Sequence, residues 1–557
     1  MDILIILSVI LAVMIVIVLM GLAEKKRFLA FTQRQIKREY GHFNEKGIPV
    51  LRMECIPAYY KRHGKDSGID DITWSDLEMD RLFALMDTTY SSAGEEYLYH
   101  VLRTPLTNSD ELKRRDEEIN YFIKEKDIRL KLQMQFASMG KNERYSLYDY
   151  LDFADTLKKI PSLPYHFIAP LLVVAAVALI IFMPSVGIMA AIAVIVVNMT
   201  WYFKTKNVIQ PYMTSLKYIL KDMKAAEKIL AMKLSVCEER QEEMKTALSG
   251  LKTFKKKAVT AFADSAGDGN PLTVMADYVN MLLHPDIMAF YSMYAQMQKH
   301  KDDIDKVHGT LGYLEMLIAA GSFTEALDAK CEPVFDGGIK AEQIYHPLLT
   351  EPVKNSFEEK GPLLLTGSNA SGKSTFLKTV AVNMLLAQCF NVACADEFHT
   401  DFFRLYTSMA LRDDMEQGDS YFIVEIKALR RILEAGKEEG VRIACFVDEV
   451  LRGTNTVERI AASTQILKFM EEKGMLVFAA THDIELTELL KENYANYHFE
   501  EEIADGDVIF NYRLMEGKAT TRNAIKLLSV MGYDEAVIKD AEDMAECFIR
   551  EGIWKNG

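Results

Sequence analysis

Gly367, Ser368, Asn369, Ala370, Ser371, Gly372, Lys373 and Ser374 fill every fixed position of the pattern G-x-x-x-x-G-K-[ST], and Thr375 follows. Leu363, Leu364 and Leu365 before it read as a short buried strand. From Phe376 the apolar residues fall at helical spacing. Strand, glycine loop and helix is the context that a phosphate-cradling loop requires. Two glycines let the backbone close around phosphate oxygens, and the N–H groups at the helix start supply positive potential. Lys373 would reach the outer phosphates, and the Ser374 hydroxyl is placed to ligate Mg²⁺.

A nucleotide site of this kind needs carboxylates nearby. Residues 441–450, VRIACFVDEV, form an apolar strand ending in Asp448 and Glu449. Asp448 suits the Mg²⁺ shell, and Glu449 can orient or deprotonate the attacking water. A further strand, residues 475–480, ends before Thr481, His482 and Asp483. At that place His482 can sense the γ-phosphate or position the water. Ser420, in the stretch QGDSYFIVE, lies between a strand over 406–411 and a helix over 422–433. It is either a helix N-cap or, in ATPases that sandwich nucleotide between subunits, a contact to the partner's γ-phosphate.

The elements that position these residues follow from pattern. From about residue 340 strands alternate with helices, which predicts a mainly parallel sheet. Residues 71–160 and 204–330 carry helical periodicity with few breakers. Three apolar runs are long enough to cross a bilayer: 3–23, 167–183 and 186–203, the last two separated by Pro184 and Ser185. Basic residues follow the first run and flank the hairpin on both sides. The positive-inside rule then puts the N-terminus outside and the ATPase part in the cytoplasm of a multi-pass cell-membrane protein. The expected fold class is an α/β P-loop ATPase domain plus an all-α core or lever domain and three transmembrane helices.

The segments are an anchor (1–23), a basic juxtamembrane stretch (24–70), a first helical core part (71–160) and a transmembrane hairpin (166–203). A second core or lever part (204–330), the ATPase domain (331–505) and a C-terminal helical element (506–557) follow. A net charge of −15 argues against a wholesale nucleic-acid coat. Seven irregularly spaced cysteines without a C-x-x-C pair read as reduced thiols, neither a disulfide framework nor a zinc site.

Four segments, TGSNASGKSTF, GDSYFIVEI, FVDEVLRGTNT and ATHDIELTELL, occur in the order found in the MutS family. The chain resembles that family over roughly 71–160 and 204–557, with the ATPase part an ABC/MutS-like sheet. The stretch ITWSDLEMDRLF resembles the start of the family's helical core, and the C-terminal helix its dimerisation element. The resemblance implies ATP and Mg²⁺ as cofactors, with Lys373, Ser374, Asp448 and Glu449 as nucleotide and metal residues. It implies His482 as a switch, Ser420 as a contact made in trans, and a homodimer through the ATPase domain. The implied ligand of the helical arms is double-stranded or branched DNA. A membrane-tethered mechanical or scaffolding ATPase with a protein partner is the alternative. An ABC-type transporter would need a larger set of membrane helices than three.

Overall fold

The computed structural model describes residues 20–21, 23–24, 26–64, 68–142, 145–153, 163–256, 271–368, 371–409, 421–438, 440, 442–452, 454–504, 507–519, 525, 528 and 531–551. Two compact units account for them.

One unit, drawn from 1–65, 86–100 and 118–323, is helical among its described residues. Its centre is the helix Lys301–Ala326, buried almost all round from Ile304 to Phe323. A helix apolar on every side belongs in a core, yet this one carries Glu315. That carboxylate accepts the Tyr90 N–H (2.6 Å) and the Ser91 hydroxyl at the start of the helix Ser92–Arg103. An acceptor at that place takes up donors of the turn that leads into the helix.

Among the described residues two helices, not three, are long and apolar enough to cross a membrane: Pro164–Phe182 and Pro184–Gln210. The run 3–23 lies outside the described residues except for its last positions. Leu171, Phe182 and Met189 of the hairpin are 66%, 82% and 75% exposed. Such a belt of large apolar side chains is costly against water and suits a lipid surface. The second hairpin helix does not stop at the basic pair after Phe203. It continues as Pro184–Leu230 into the helical core, where Leu216, Ile219, Met223 and Ile229 are buried.

The other unit comprises 66–85, 101–117 and 324–557. Its main sheet has the order β10-β9-β4-β8-β7-β6. These strands are β4 (Leu363–Thr366), β6 (Arg404–Ser408), β7 (Ile443–Asp448), β8 (Leu476–Thr481), β9 (Ala495–Ala504) and β10 (Asp507–Glu516). All neighbours run parallel except β10, which turns back along β9. The parallel sheet expected from the βα alternation is therefore present. Segment 506–557, expected to be helical, begins instead with β10, whose described partner is β9; its long helix is Glu535–Glu551. A second, mixed sheet was not anticipated: β1 (Val334–Phe335), β5 (Glu397–Thr400), β2 (Ile339–Ile344) and β3 (Asn355–Glu359), in that order.

Residues 66–85 pack with this unit. Asp76 is buried, and its carboxylate accepts the Thr407 hydroxyl (2.6 Å) and the Met409 N–H (2.9 Å) at the end of edge strand β6. The described cysteines are free thiols.

Candidate functional site

The site follows from strand register. Thr366 pairs with Thr481, and Asp448 with Ala480, so β4, β7 and β8 end at one edge of the sheet. In parallel α/β sheets ligands bind at that edge, beyond the carboxyl ends of the strands. Each strand is buried along its whole length, which fixes where it ends.

Beyond β4 the chain makes the glycine loop and enters the helix Lys373–Phe390. Gly367 sits at φ 147° and Gly372 at φ 108°, backbone conformations that side chains resist. A Cβ on Gly367 would meet the Phe499 carbonyl at 2.8 Å, and one on Gly372 the Tyr512 ring at 3.1 Å. Lys373 is buried and folds over its own loop, donating to the carbonyls of Gly367 (2.8 Å) and Ser368 (2.6 Å). The Ser374 hydroxyl donates to the Asp448 carboxylate. The Ser368 hydroxyl donates to Glu501 at 2.7 Å. Ser371 is buried, and its Oγ finds no hydrogen-bond partner among the described residues, a loop donor left open for a ligand.

Past β7, Glu449 makes an ion pair with the Arg452 guanidinium and a hydrogen bond of 2.7 Å with His482 Nε2. His482 Nε2 also lies 3.5 Å from Lys373 Nζ. Arg459 grips Asp483 through two hydrogen bonds of 2.8 and 2.6 Å and so holds the loop that carries His482. Glu449 and Leu451 both have positive φ, 61° and 62°. For a non-glycine residue this costs about 1–2 kcal/mol each, and such strain persists only where the surroundings enforce it.

Charge follows the geometry. Burial pushes the Lys373 ammonium down to about 8, against the pull of Asp448 and Glu449. Burial alone would raise the Glu449 carboxyl. The His482 hydrogen bond and the Arg452 and Lys373 charges outweigh it and hold the group below the usual carboxylate range. Burial also pushes His346, on the cleft wall, down to about 4. Glu449 is thus ionised at neutral pH and can accept a proton, and Lys373 stands beside it as a cation chemically suited to a phosphate.

These groups open on a cleft of about 790 Å³, a size suited to a nucleotide-sized ligand. Gly372, Lys373, Ser374, Thr375, Asp448, Glu449 and His482 line one side, and Tyr345, Leu349, Phe499 and Tyr512 give it apolar and aromatic surface. The hydroxyl of Ser374 and the carboxylate of Asp448 form an oxygen donor set that suits a hard cation such as Mg²⁺. Asn369, Ala370 and Ser420 lie outside the described residues.

Two residues at the site were not singled out by sequence reasoning. Arg452 stands inside the segment FVDEVLRGTNT, where no role was assigned to it. Glu425 had a signal: with Ala428, Leu429, Ile432 and Ala435 it completes the buried stripe of the helix Tyr421–Ala435. A carboxylate on an apolar stripe needs a partner. Its partners are the N–H groups of Leu451 and Arg452.

Comparison with known proteins falls on the same region. Residues 363–548 match the family MutS domain V. The DNA mismatch repair protein MutS of Thermotoga petrophila is 28% identical over 279 residues, 48% of this chain and 35% of the relative. The DNA mismatch repair protein MutS of Thermus aquaticus is 30% identical over 227 residues, 40% of this chain and 28% of the relative. Human MutS protein homolog 4 is 26% identical over 292 residues, 48% and 30% of the two chains. The chain thus spans about a third of the length of the curated relatives it matches.

Proposed function

We propose that this protein, a member of the MutS family by the match of residues 363–548 to MutS domain V and by its similarity to MutS proteins, is a membrane-anchored ATPase acting in the cleft at the strand ends. One observation carries the reading. Lys373, Ser374, Asp448, Glu449 and His482, drawn from three strand ends far apart in sequence, meet around one cleft.

The chemistry derives from what those side chains offer. Lys373 leaves the carbonyls of Gly367 and Ser368 for the outer phosphates of ATP. Ser374 and Asp448 would hold Mg²⁺, which when bound would supply positive charge against the phosphate oxygens. Glu449 orients the attacking water and accepts its proton. His482, hydrogen-bonded to Glu449, keeps that carboxylate aimed and reports on the γ-phosphate. The γ-phosphoryl group is displaced in line, with Lys373 balancing charge that develops on its oxygens. Two copies face each other through their ATPase domains, and Ser420 of each contacts the nucleotide of the other.

The exposed apolar belt of the hairpin supports a bilayer as its surroundings. Basic flanks support an in–out–in hairpin, an N-terminal anchor over 3–23 with its start outside, and a cytoplasmic ATPase domain. The relatives' names carry DNA mismatch repair, and for this chain we read DNA as the ligand of the helical core. The net charge of −15 favours a second reading, a mechanical or scaffolding ATPase with a protein partner. The deciding experiment is the ATPase rate of the full chain in detergent, with and without duplex or branched DNA, at two salt concentrations. Stimulation that fades with salt supports DNA. Turnover indifferent to DNA supports the protein partner, and absence of turnover sinks the ATPase reading.

A further inference from the structure

The turn after β7 carries Glu449, and its backbone is held from three elements. The Glu449 N–H donates to the Ala480 carbonyl of β8 at 2.8 Å. The Ser463 hydroxyl, on the helix Thr456–Glu472, donates to the Val450 carbonyl at 3.2 Å. From the helix Tyr421–Ala435, Glu425 Oε1 accepts the N–H of Leu451 at 2.5 Å and that of Arg452 at 3.3 Å. Glu425 is 1% exposed, and its second oxygen has no hydrogen-bond partner among the described residues. A buried carboxylate there is a poor choice for packing, since an apolar residue would fill the stripe without the desolvation cost. What it adds is an acceptor for two amides of a turn whose φ values are unfavourable.

We propose that Glu425 is a positioning residue for ATP hydrolysis, fixing the Leu451 and Arg452 amides so that Glu449 and the Arg452 guanidinium are presented to the cleft in a set direction. Arg452 pairs with Glu449 through its side chain while its N–H is taken by Glu425, so one contact orients both. The helix Tyr421–Ala435 and the hydrolytic carboxylate then move together. Any displacement of that helix reaches Glu449 through the turn rather than through the nucleotide.

The inference rests on the ATPase reading, and its test separates the two. Glu425→Leu keeps the apolar stripe filled and removes the acceptor. Glu425→Gln keeps an acceptor and removes the charge. In the full chain in detergent, Glu425→Leu should lower kcat about 100-fold, the loss expected from misplacing a reacting group by about 1 Å. KM for Mg-ATP should move less than about threefold, because binding is left intact. Glu425→Gln should keep kcat within about fivefold of the unsubstituted protein, as an uncharged acceptor still takes both amides. Hydrogen exchange of the Leu451 and Arg452 amides, measured without nucleotide, should quicken in Glu425→Leu and stay slow in Glu425→Gln. Unchanged kcat in Glu425→Leu, or equal losses in the two variants, overturns the positioning role. Unchanged exchange in Glu425→Leu overturns the pinning itself. If the unsubstituted protein turns over no ATP, the ATPase reading falls, and with it the positioning role, while the exchange result still decides the pinning.

Discussion

Raising the pH should weaken nucleotide binding well before it reaches the ordinary range of a lysine. Burial holds the free Lys373 ammonium at about 8, whereas phosphate oxygens at hydrogen-bond distance would raise it in the complex. Binding favours the charged form, so the complex takes up a proton wherever the free lysine is neutral. The sign follows: affinity is nearly full at pH 7, is about halved at pH 8 and falls further as pH rises towards the pKa of the complex. With a free pKa of about 8, roughly a tenth of the lysine is neutral at pH 7 and about nine-tenths at pH 9. If the bound ammonium stays charged through pH 9, affinity falls about tenfold between those values, or ~1.4 kcal/mol. Mg-ADP is the ligand to use, because it is not consumed and is fully ionised across the range. Calorimetric titration at pH 8.5 in two buffers of different ionisation heat should report uptake of roughly three-quarters of a proton per site. Lys373→Arg should flatten the profile, since its guanidinium remains charged. An affinity constant within twofold from pH 7 to pH 9, or no proton uptake at pH 8.5, would refute the placement of this lysine against the phosphates.

Other perturbations test other links. Glu449→Gln should cut steady-state turnover at least about 100-fold while nucleotide affinity stays within about threefold; normal turnover would remove Glu449 from the mechanism. Asp76→Ala leaves the Thr407 hydroxyl and the Met409 N–H without their buried acceptor. It should cost about 2–4 kcal/mol, read as earlier cleavage in urea pulse proteolysis, and a shift below about 0.5 kcal/mol would show that this docking is incidental. A cysteine placed by Ser185→Cys should react with an impermeant maleimide on intact cells, and reaction only after permeabilisation would reverse the topology.

How much of this was legible in sequence depends on how local each feature is. The glycine loop, the Asp448–Glu449 pair and His482 are short signals at the ends of apolar strands, and pattern alone places them on one functional edge. The order of the strands is another matter. β4 lies between β8 and β9, neighbours more than a hundred residues away, and a run such as LLLT says that it is buried without saying by what. The second sheet was missed because β5, EFHT, and β2, IKAEQI, mix charge with apolar residues, and β1 is only two residues long. Residues 71–160 read as one helical segment, yet 66–85 and 101–117 fall with the sheet-containing unit and the rest with the helical one. Amphipathic spacing shows that a face is buried but not which unit buries it. Glu425 was legible in principle as a charge on an apolar stripe, but the amides it serves lie 26 and 27 positions further on.

The hairpin was read as ending at Phe203 because hydropathy ends there. The helix does not, since Lys204 and Lys206 are good helix formers and nothing caps the chain. Residues 204–230 extend it by about 40 Å, into the core that the helix Lys301–Ala326 fills. Near the end of the apolar span the helix is keyed to its neighbours by polar contacts. Tyr202 donates to Asp286 at 3.0 Å, His166 pairs with Thr205 at 3.0 Å and with His284 at 2.9 Å, and Asn198 donates to the Leu282 carbonyl at 2.8 Å. Asn198, His166 and His284 are fully buried, so breaking these bonds would leave polar groups without partners at about 1–3 kcal/mol each. A flexible tether would need none of this. On the membrane reading, the helical core cannot slide along this helix axis without either breaking those contacts or carrying the hairpin through the bilayer with it. Motion driven by ATP in such a protein is therefore expected as bending or rotation about the membrane-embedded helix.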